Sequence, residues 1–115
     1  MEEKLIHEAM LTLGRKDEVE SLLEKLNKNV VKYEALQKVD GFKETVEIVK
    51  KYINNEYTDI EPLAVEKMVA GLIYVVDGDD LIPDAITGVG IKDDEAFIKG
   101  VIEEVKEDIN KYRSH

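Results

Sequence analysis

Apolar residues recur at helical spacing along almost the whole chain, and no stretch alternates with the period of two that marks a strand. The first stripe lies in residues 2–13 and is formed by Leu5, Ile6, Ala9, Met10 and Leu13. Gly14 follows it in the place of a left-handed C-cap. The pattern therefore predicts a first amphipathic helix that ends before Gly14.

Two further amphipathic helices follow. Residues 17–39 carry the longest stripe, which runs from Val19 to Val39, weakens at 27–29 and stops at Asp40-Gly41. Residues 42–57 repeat the pattern and end in Asn54-Asn55, which are poor helix formers. The apolar stripe of this third helix is Phe42, Val46, Val49 and Ile53.

The segment 61–76 is the most apolar helix of the chain. A capping hydroxyl at Thr58, an acid three residues later at Glu61, and Pro62 in the first turn mark its start. Between Glu61 and Tyr74 its only charged residues are Glu66 and Lys67. Most of the circumference of this helix is therefore apolar. We therefore expect a central helix, in which Gly71 allows a neighbouring helix or loop to approach closely.

Residues 77–92 are rich in Asp, Gly and Pro, and they form the one long connection that the pattern predicts. We expect a short helical turn at 81–86, folded back onto the core, and glycine turns at Gly88 and Gly90. The last helix is predicted to open at Asp93 and to reach Tyr112. The predicted core residues are Leu5, Leu22, Leu26, Val46, Val49, Met68, Leu72, Ile73, Val76, Ile82, Ile86, Ile98, Val101, Ile102 and Val105.

These elements predict an all-α fold: a single compact bundle of about five helices around the central helix 61–76. A chain of 115 residues is of the usual size for one domain, so residues 1–115 are assigned to one. There are no cysteines, which excludes disulfides and thiolate metal sites. The first residues are acidic, and no apolar run approaches the ~20 residues that span a bilayer, so a cytoplasmic location is expected.

The net charge is −10, and it is unevenly distributed. Residues 1–57 hold 12 acids and 10 bases (−2), whereas residues 58–115 hold 14 acids and 6 bases (−8). This balance argues against direct binding of nucleic acid, which needs clustered Lys and Arg. The field of the second half favours a cation or a basic protein surface as partner, although solubility alone would also account for it.

Residues 74–94 resemble the YkvA-like family, a domain-of-unknown-function family (domain of unknown function 1232). The matching positions are Tyr74, Asp80, Ile82, Pro83, Asp84, Ile86, Gly90, Asp93 and Asp94. Gly78, Asp79, Thr87 and Ile91 depart from the family pattern, which would make this chain a divergent member. The resemblance implies an all-helical unit and implies no particular activity.

The same stretch concentrates carboxylates: residues 77–95 contain seven acids and one base. If the loop folds back, Asp80 and Asp84 could face Asp93 or Asp94, and together they could bind Mg²⁺ or Ca²⁺, since these ions prefer several carboxylate oxygens. An EF-hand is excluded by the spacing. The alternative is structural: Asp80 and Asp93 would be N-caps, and Asp94 and Glu95 would lie in a first helical turn, where the helix dipole favours acids.

Catalytic constellations are lacking in this sequence. His7 and His115 are the only histidines, and no serine has a histidine–aspartate pattern beside it. We therefore expect no catalytic residues and favour a non-enzymatic protein-interaction module whose motif stretch is chiefly architectural. Two alternatives stay open: a divalent-metal carboxylate site with hydrolytic activity, and an acidic inhibitor or immunity-type protein that binds a basic partner.

Overall fold

The computed structural model of the chain describes residues 3–28, 30–77 and 89–114, and for residues 30, 31, 77 and 89–93 it describes the backbone alone. All regular elements in these ranges are α-helices. In chain order they are α1 (Glu3–Leu13), α2 (Lys16–Lys28), α3 (Val30–Gln37), α4 (Phe42–Ile53), α5 (Pro62–Asp77), α6 (Val89–Glu104) and α7 (Lys106–Arg113). The helical turn predicted at 81–86, with the predicted core residues Ile82 and Ile86, lies outside the described residues.

Helix α5 is central, as its composition predicts. It contacts α1, α2, α4 and α6, and residues around much of its circumference are buried. Its fully buried side chains include those of Val65, Met68, Val69, Leu72 and Val75. All seven helices contribute to one hydrophobic cluster, and the radius of gyration of 13.4 Å is close to the value of about 13 Å expected for a compact chain of this length.

The described ranges contain seven helical segments where the pattern predicts about five helices, and the last predicted helix is broken within the described residues. The predicted helix 17–39 is described as α2, which ends at Lys28, and α3, which begins at Val30, and residue 29 between them lies outside the described residues. The last helix breaks at Val105, whose N–H is shared between the carbonyl oxygens of Val101 (3.1 Å) and Ile102 (3.2 Å). Such shared bonds are common at helix ends, and here they separate α6 from α7.

Two predicted caps are wrong. Gly14 does follow α1, but its φ is not positive, and its N–H donates to the Met10 carbonyl oxygen at 3.2 Å, which continues the helical pattern. Helix α5 begins at Pro62, and the N–H groups of Ala64 and Val65 donate to the Glu61 carbonyl oxygen. Proline therefore occupies the first helical position as expected, whereas Thr58 lies too far before it to cap the helix.

The turn between α3 and α4 depends on Gly41, which has a φ of 93°. A Cβ atom at this position would lie 3.0 Å from Cγ2 of Ile102, so the turn is also packed closely against α6. The Thr45 hydroxyl donates to the Gly41 carbonyl oxygen at 2.8 Å inside the core. As a result α4 buries Phe42, Thr45, Ile48 and Val49.

The buried residues of α4 differ in part from the apolar stripe that the sequence predicts. Val46 and Ile53 are only half-buried, because the turn rotates the helix so that Thr45 and Ile48 face the core instead. Elsewhere the predicted core residues Leu22, Leu26, Val49, Met68, Leu72, Ile73, Ile98, Val101 and Val105 are buried. Leu5, Val76 and Ile102, like Val46, are partly buried and pack against the cluster.

Gly71 allows the close approach that its place in the central helix predicts. A Cβ atom there would lie 3.2 Å from Cδ1 of Ile98 and 3.3 Å from Cγ2 of Val101. Both contacts are with α6, so the missing side chain brings α5 and α6 together. This approach places the end of α5 beside the middle of α6, where the candidate site lies.

Candidate functional site

A buried ion pair joins α3 to α6 beside the end of α5. Nζ of Lys32 lies 2.9 Å from Oδ2 of Asp94, and their side chains are only 8% and 6% exposed. Charged side chains are rarely buried unless they are paired, because removing each charge from water is costly. Asp94 is also one of the four acids that the sequence proposes as metal ligands, and it is the only one of them whose side chain is described.

The same ammonium group binds the end of α5. Nζ of Lys32 donates a hydrogen bond of 2.9 Å to the carbonyl oxygen of Val75, which lies in the last turn of that helix. Carbonyl groups in the last turn have no partner within their own helix, and the helix dipole makes this end negative. Lys32 therefore binds the last described turn of α5 while it pairs with Asp94.

The local sequence explains why Lys32 points inward. Lys32, Leu36 and Val39 are spaced at i, i+4 and i+7, and all three are buried. Sequence reasoning assigned no role to Lys32 and so missed it. The available signal was a lysine in register with two apolar residues on the same side of the helix.

The structure changes the roles predicted for the acids at the start of the last helix. Helix α6 begins at Val89, so Asp93 is its fifth residue and is not an N-cap. Asp94 and Glu95 follow it and do not lie in the first turn, contrary to prediction. The error arose because Gly90 was interpreted as a turn residue, whereas it lies inside the helix.

The structure tests only part of the proposed carboxylate site. Asp80 and Asp84 lie outside the described residues, and only the backbone of Asp93 is described. Among the side chains that are described, no three His, Cys, Asp or Glu residues form a group that could hold a metal ion. Whether the four acids converge therefore stays a prediction.

An aromatic stack joins the same two helices nearby. The rings of Tyr74 in α5 and Phe97 in α6 are nearly parallel, at 10°, with centroids 4.0 Å apart. Phe97 lies three residues after Asp94, which places the stack and the ion pair on neighbouring turns of α6. Together with Gly71 they fix the position of α6 against α5 through three different kinds of contact.

Two open grooves lie away from this buried site. One, of ≈ 600 Å³, runs between α1 and α2 and is lined by Leu11, Leu22 and Ile73 together with charged residues. The other, of ≈ 430 Å³, lies between the 39–41 turn and the α6–α7 face, with Arg113 at one end. Among the described helices, none is long and apolar enough to cross a membrane.

Arg113 joins α7 to α4 at the second groove. Its Nε donates to Oε2 of Glu44 at 2.6 Å, and its Nη2 donates to Oδ1 of Asp40 at 2.9 Å. The hydrogen bond to Glu44 raises the pKa of the Arg113 guanidinium above its ordinary value, and the bond to Asp40 adds to this effect.

Comparison of the chain with protein-family models, with curated proteins and with solved structures finds no match. The resemblance of residues 74–94 to the YkvA-like family consequently has no support from these comparisons and stays a hypothesis. Any account of function must therefore rest on the described side chains.

Proposed function

We propose that this protein is a non-enzymatic protein-interaction module in which the motif stretch, residues 77–94, is chiefly architectural. The observation that carries this proposal is the burial of Asp94 against Lys32, at 2.9 Å, beside the end of α5. Asp94 is the one motif carboxylate with a described side chain, and its charge is used inside the fold.

The contacts of Lys32 explain what that charge does. One ammonium group reaches the Val75 carbonyl oxygen and the Asp94 carboxylate, and these belong to the helices on either side of residues 78–88. The ion pair therefore holds α3, α5 and α6 in one arrangement. Buried polar pairs of this kind favour one packing over its alternatives, at some cost in desolvation.

The same geometry weakens the case for Asp94 as a metal ligand. A divalent cation bound to this carboxylate would lie close to the Lys32 ammonium, and like charges at a few ångströms in a buried site repel strongly. The alternative of a Mg²⁺ or Ca²⁺ site consequently depends on Asp80, Asp84 and Asp93. Hydrolytic activity at such a site is the main competitor of the proposed function.

The exposed apolar side chains of α1 support an interaction role. Met10 and Leu11 are 50% and 60% exposed, and Leu11 lines the groove between α1 and α2. Neighbouring large apolar side chains at the edge of an open groove provide area that a partner can cover. A helix that packs on α5 with one side can present these residues with the other.

The test is a screen for turnover in the presence of metal. We expect wild-type protein with Mg²⁺, Ca²⁺ or Mn²⁺ to hydrolyse p-nitrophenyl phosphate and bis-p-nitrophenyl phosphate no faster than the metal alone. Asp80→Asn and Asp84→Asn are the matched variants, because each removes one charge and keeps the side-chain shape. Turnover by the wild type that either variant abolishes would overturn the proposed function in favour of a metal-dependent hydrolase.

A further inference from the structure

The groove between the 39–41 turn and the α6–α7 face carries a row of basic residues. Lys99, Lys106 and Arg113 line it, and they are seven residues apart in sequence. Lys99 lies in α6, whereas Lys106 and Arg113 lie in α7, so the two helices bring their basic residues to the same groove. The break at Val105 lies between the first two of them.

The two lysines are available to a partner, whereas the arginine is not. Arg113 is held by Asp40 and Glu44. Lys99 and Lys106 are exposed, and neither forms an ion pair with any side chain that the structure describes. An exposed ammonium group without a fixed partner loses little when it meets a carboxylate from another molecule.

The charge of the groove is opposite in sign to that of the chain. Its lining has three bases and two acids, Asp40 and Glu103, in a protein with a net charge of −10. Between the lysines lie apolar residues: Ile102 is half-buried, and Ile109 and Val39 lie deeper. The groove therefore places two ammonium groups beside apolar area, with Glu103 also in its lining.

We propose that this groove, defined by Val39–Gly41 and by the Lys99, Ile102, Lys106 and Ile109 face, binds an acidic amphipathic helix of a partner protein. Carboxylates on that helix would meet Lys99 and Lys106, and apolar residues beside them would cover Ile102. Helices bind grooves by such periodic anchors. This inference rests on the proposed function, because it assigns the partner class of an interaction module.

The experiment uses the full chain and a synthetic peptide. The peptide is Ala-rich, about 20 residues long and capped at both ends, with Glu at every seventh position and Leu between them on the same face. Amide NMR titration should show saturable shifts confined to residues 39–41 and 99–113. Binding should weaken as NaCl is raised, since the contacts are exposed charges. Shifts centred elsewhere, or none at millimolar peptide, would overturn the inference.

Matched variants separate a specific groove from general charge attraction. Lys99→Gln/Lys106→Gln should weaken binding about fivefold to tenfold, as expected for two exposed charge pairs. Lys16→Gln/Lys50→Gln changes the net charge equally at exposed sites outside the groove, and it should alter affinity less than twofold. Equal losses in the two double variants would contradict the proposal.

Two further experiments test whether the groove binds a different kind of partner. A peptide with Lys in place of each Glu should not shift residues 99–113, and tighter binding of this basic peptide there would overturn the inference in favour of a basic partner. A concentration-dependent dimer that dissociates in Lys99→Gln/Lys106→Gln would assign the groove to a second copy of the chain and would equally overturn it. Failure of peptide binding would contradict this inference alone and leave the proposed function intact. Turnover by the wild type that is lost in Asp80→Asn would contradict the proposed function, whether or not the peptide binds.

Discussion

Two ion networks with similar distances join helices in this protein, but they differ in burial. Lys32 and Asp94 lie 2.9 Å apart with side chains 8% and 6% exposed. Arg113 and Asp40 also lie 2.9 Å apart, but their side chains are 38% and 93% exposed. The first network lies inside the junction of α3, α5 and α6, and the second lies on the surface between α4 and α7.

The difference shows why a distance alone does not indicate what an ion pair contributes. In the buried pair each charge has lost most of its water and relies on its partner, and the Lys32 ammonium also donates to the Val75 carbonyl oxygen. In the exposed network water and salt can replace either partner at little cost. We therefore expect the buried pair to determine the arrangement of the helices and the exposed network to adjust to it.

The largest effect should come from breaking the buried pair on one side. Asp94→Leu removes the carboxylate that lies 2.9 Å from the buried Lys32 ammonium, and we expect the free energy of unfolding to fall by about 3–5 kcal/mol. Urea unfolding followed by circular dichroism would measure it. A loss below about 1 kcal/mol would mean that the site is wetter than its burial indicates.

Packing between α5 and α6 should have the next largest effect, because it places Asp94 beside the end of α5. Gly71→Val would drive methyl groups into Ile98 and Val101, and overpacking of this kind costs about 1–3 kcal/mol. The matched control is Gly100→Val in α6, where an added Cβ meets nothing within 4 Å.

Thermal unfolding of both glycine variants would show whether the loss of stability is specific to position 71. We expect Gly100→Val to change stability by no more than about 0.5 kcal/mol, as is usual for surface substitutions. Equal losses in the two variants would indicate that the α5–α6 contact at position 71 does not account for the effect.

The smallest effect should come from the exposed network. Arg113→Gln removes the charge that Asp40 and Glu44 share, and we expect the thermal midpoint to fall by no more than about 4 °C in low salt. The difference from the wild type should shrink in 0.5 M NaCl, because salt screens exposed charges. A salt-independent loss as large as that of Asp94→Leu would remove the distinction between the two networks.

The sequence predicts the features of this fold that depend on local pattern. The apolar composition of 61–76 indicates the central helix, Gly71 indicates a close helix contact, and Asp40-Gly41 marks the turn between two helices. Each follows from residues close together in the chain, and each agrees with the structure.

The role of Asp94 could not be predicted in the same way. A carboxylate near glycines and other acids has the local signature of a cap or a metal ligand, and its partner lies 62 positions earlier in the chain. Lys32 in turn has the local signature of a solvated lysine. Only the packing of α3 against α6 brings the two together, so the pair is a property of the tertiary structure.

The measurement that most directly tests the architectural role of the motif stretch is a double-mutant cycle at the buried pair. Lys32→Met, Asp94→Leu and the double variant would be compared with the wild type by urea unfolding, first with chelator and then with millimolar Mg²⁺. We predict that each single variant is strongly destabilised, that the double variant lies within about 2 kcal/mol of the wild type, and that Mg²⁺ changes none of these values. Additive losses in the double variant, or stabilisation of the wild type by Mg²⁺ that disappears in Asp94→Leu, would contradict the account.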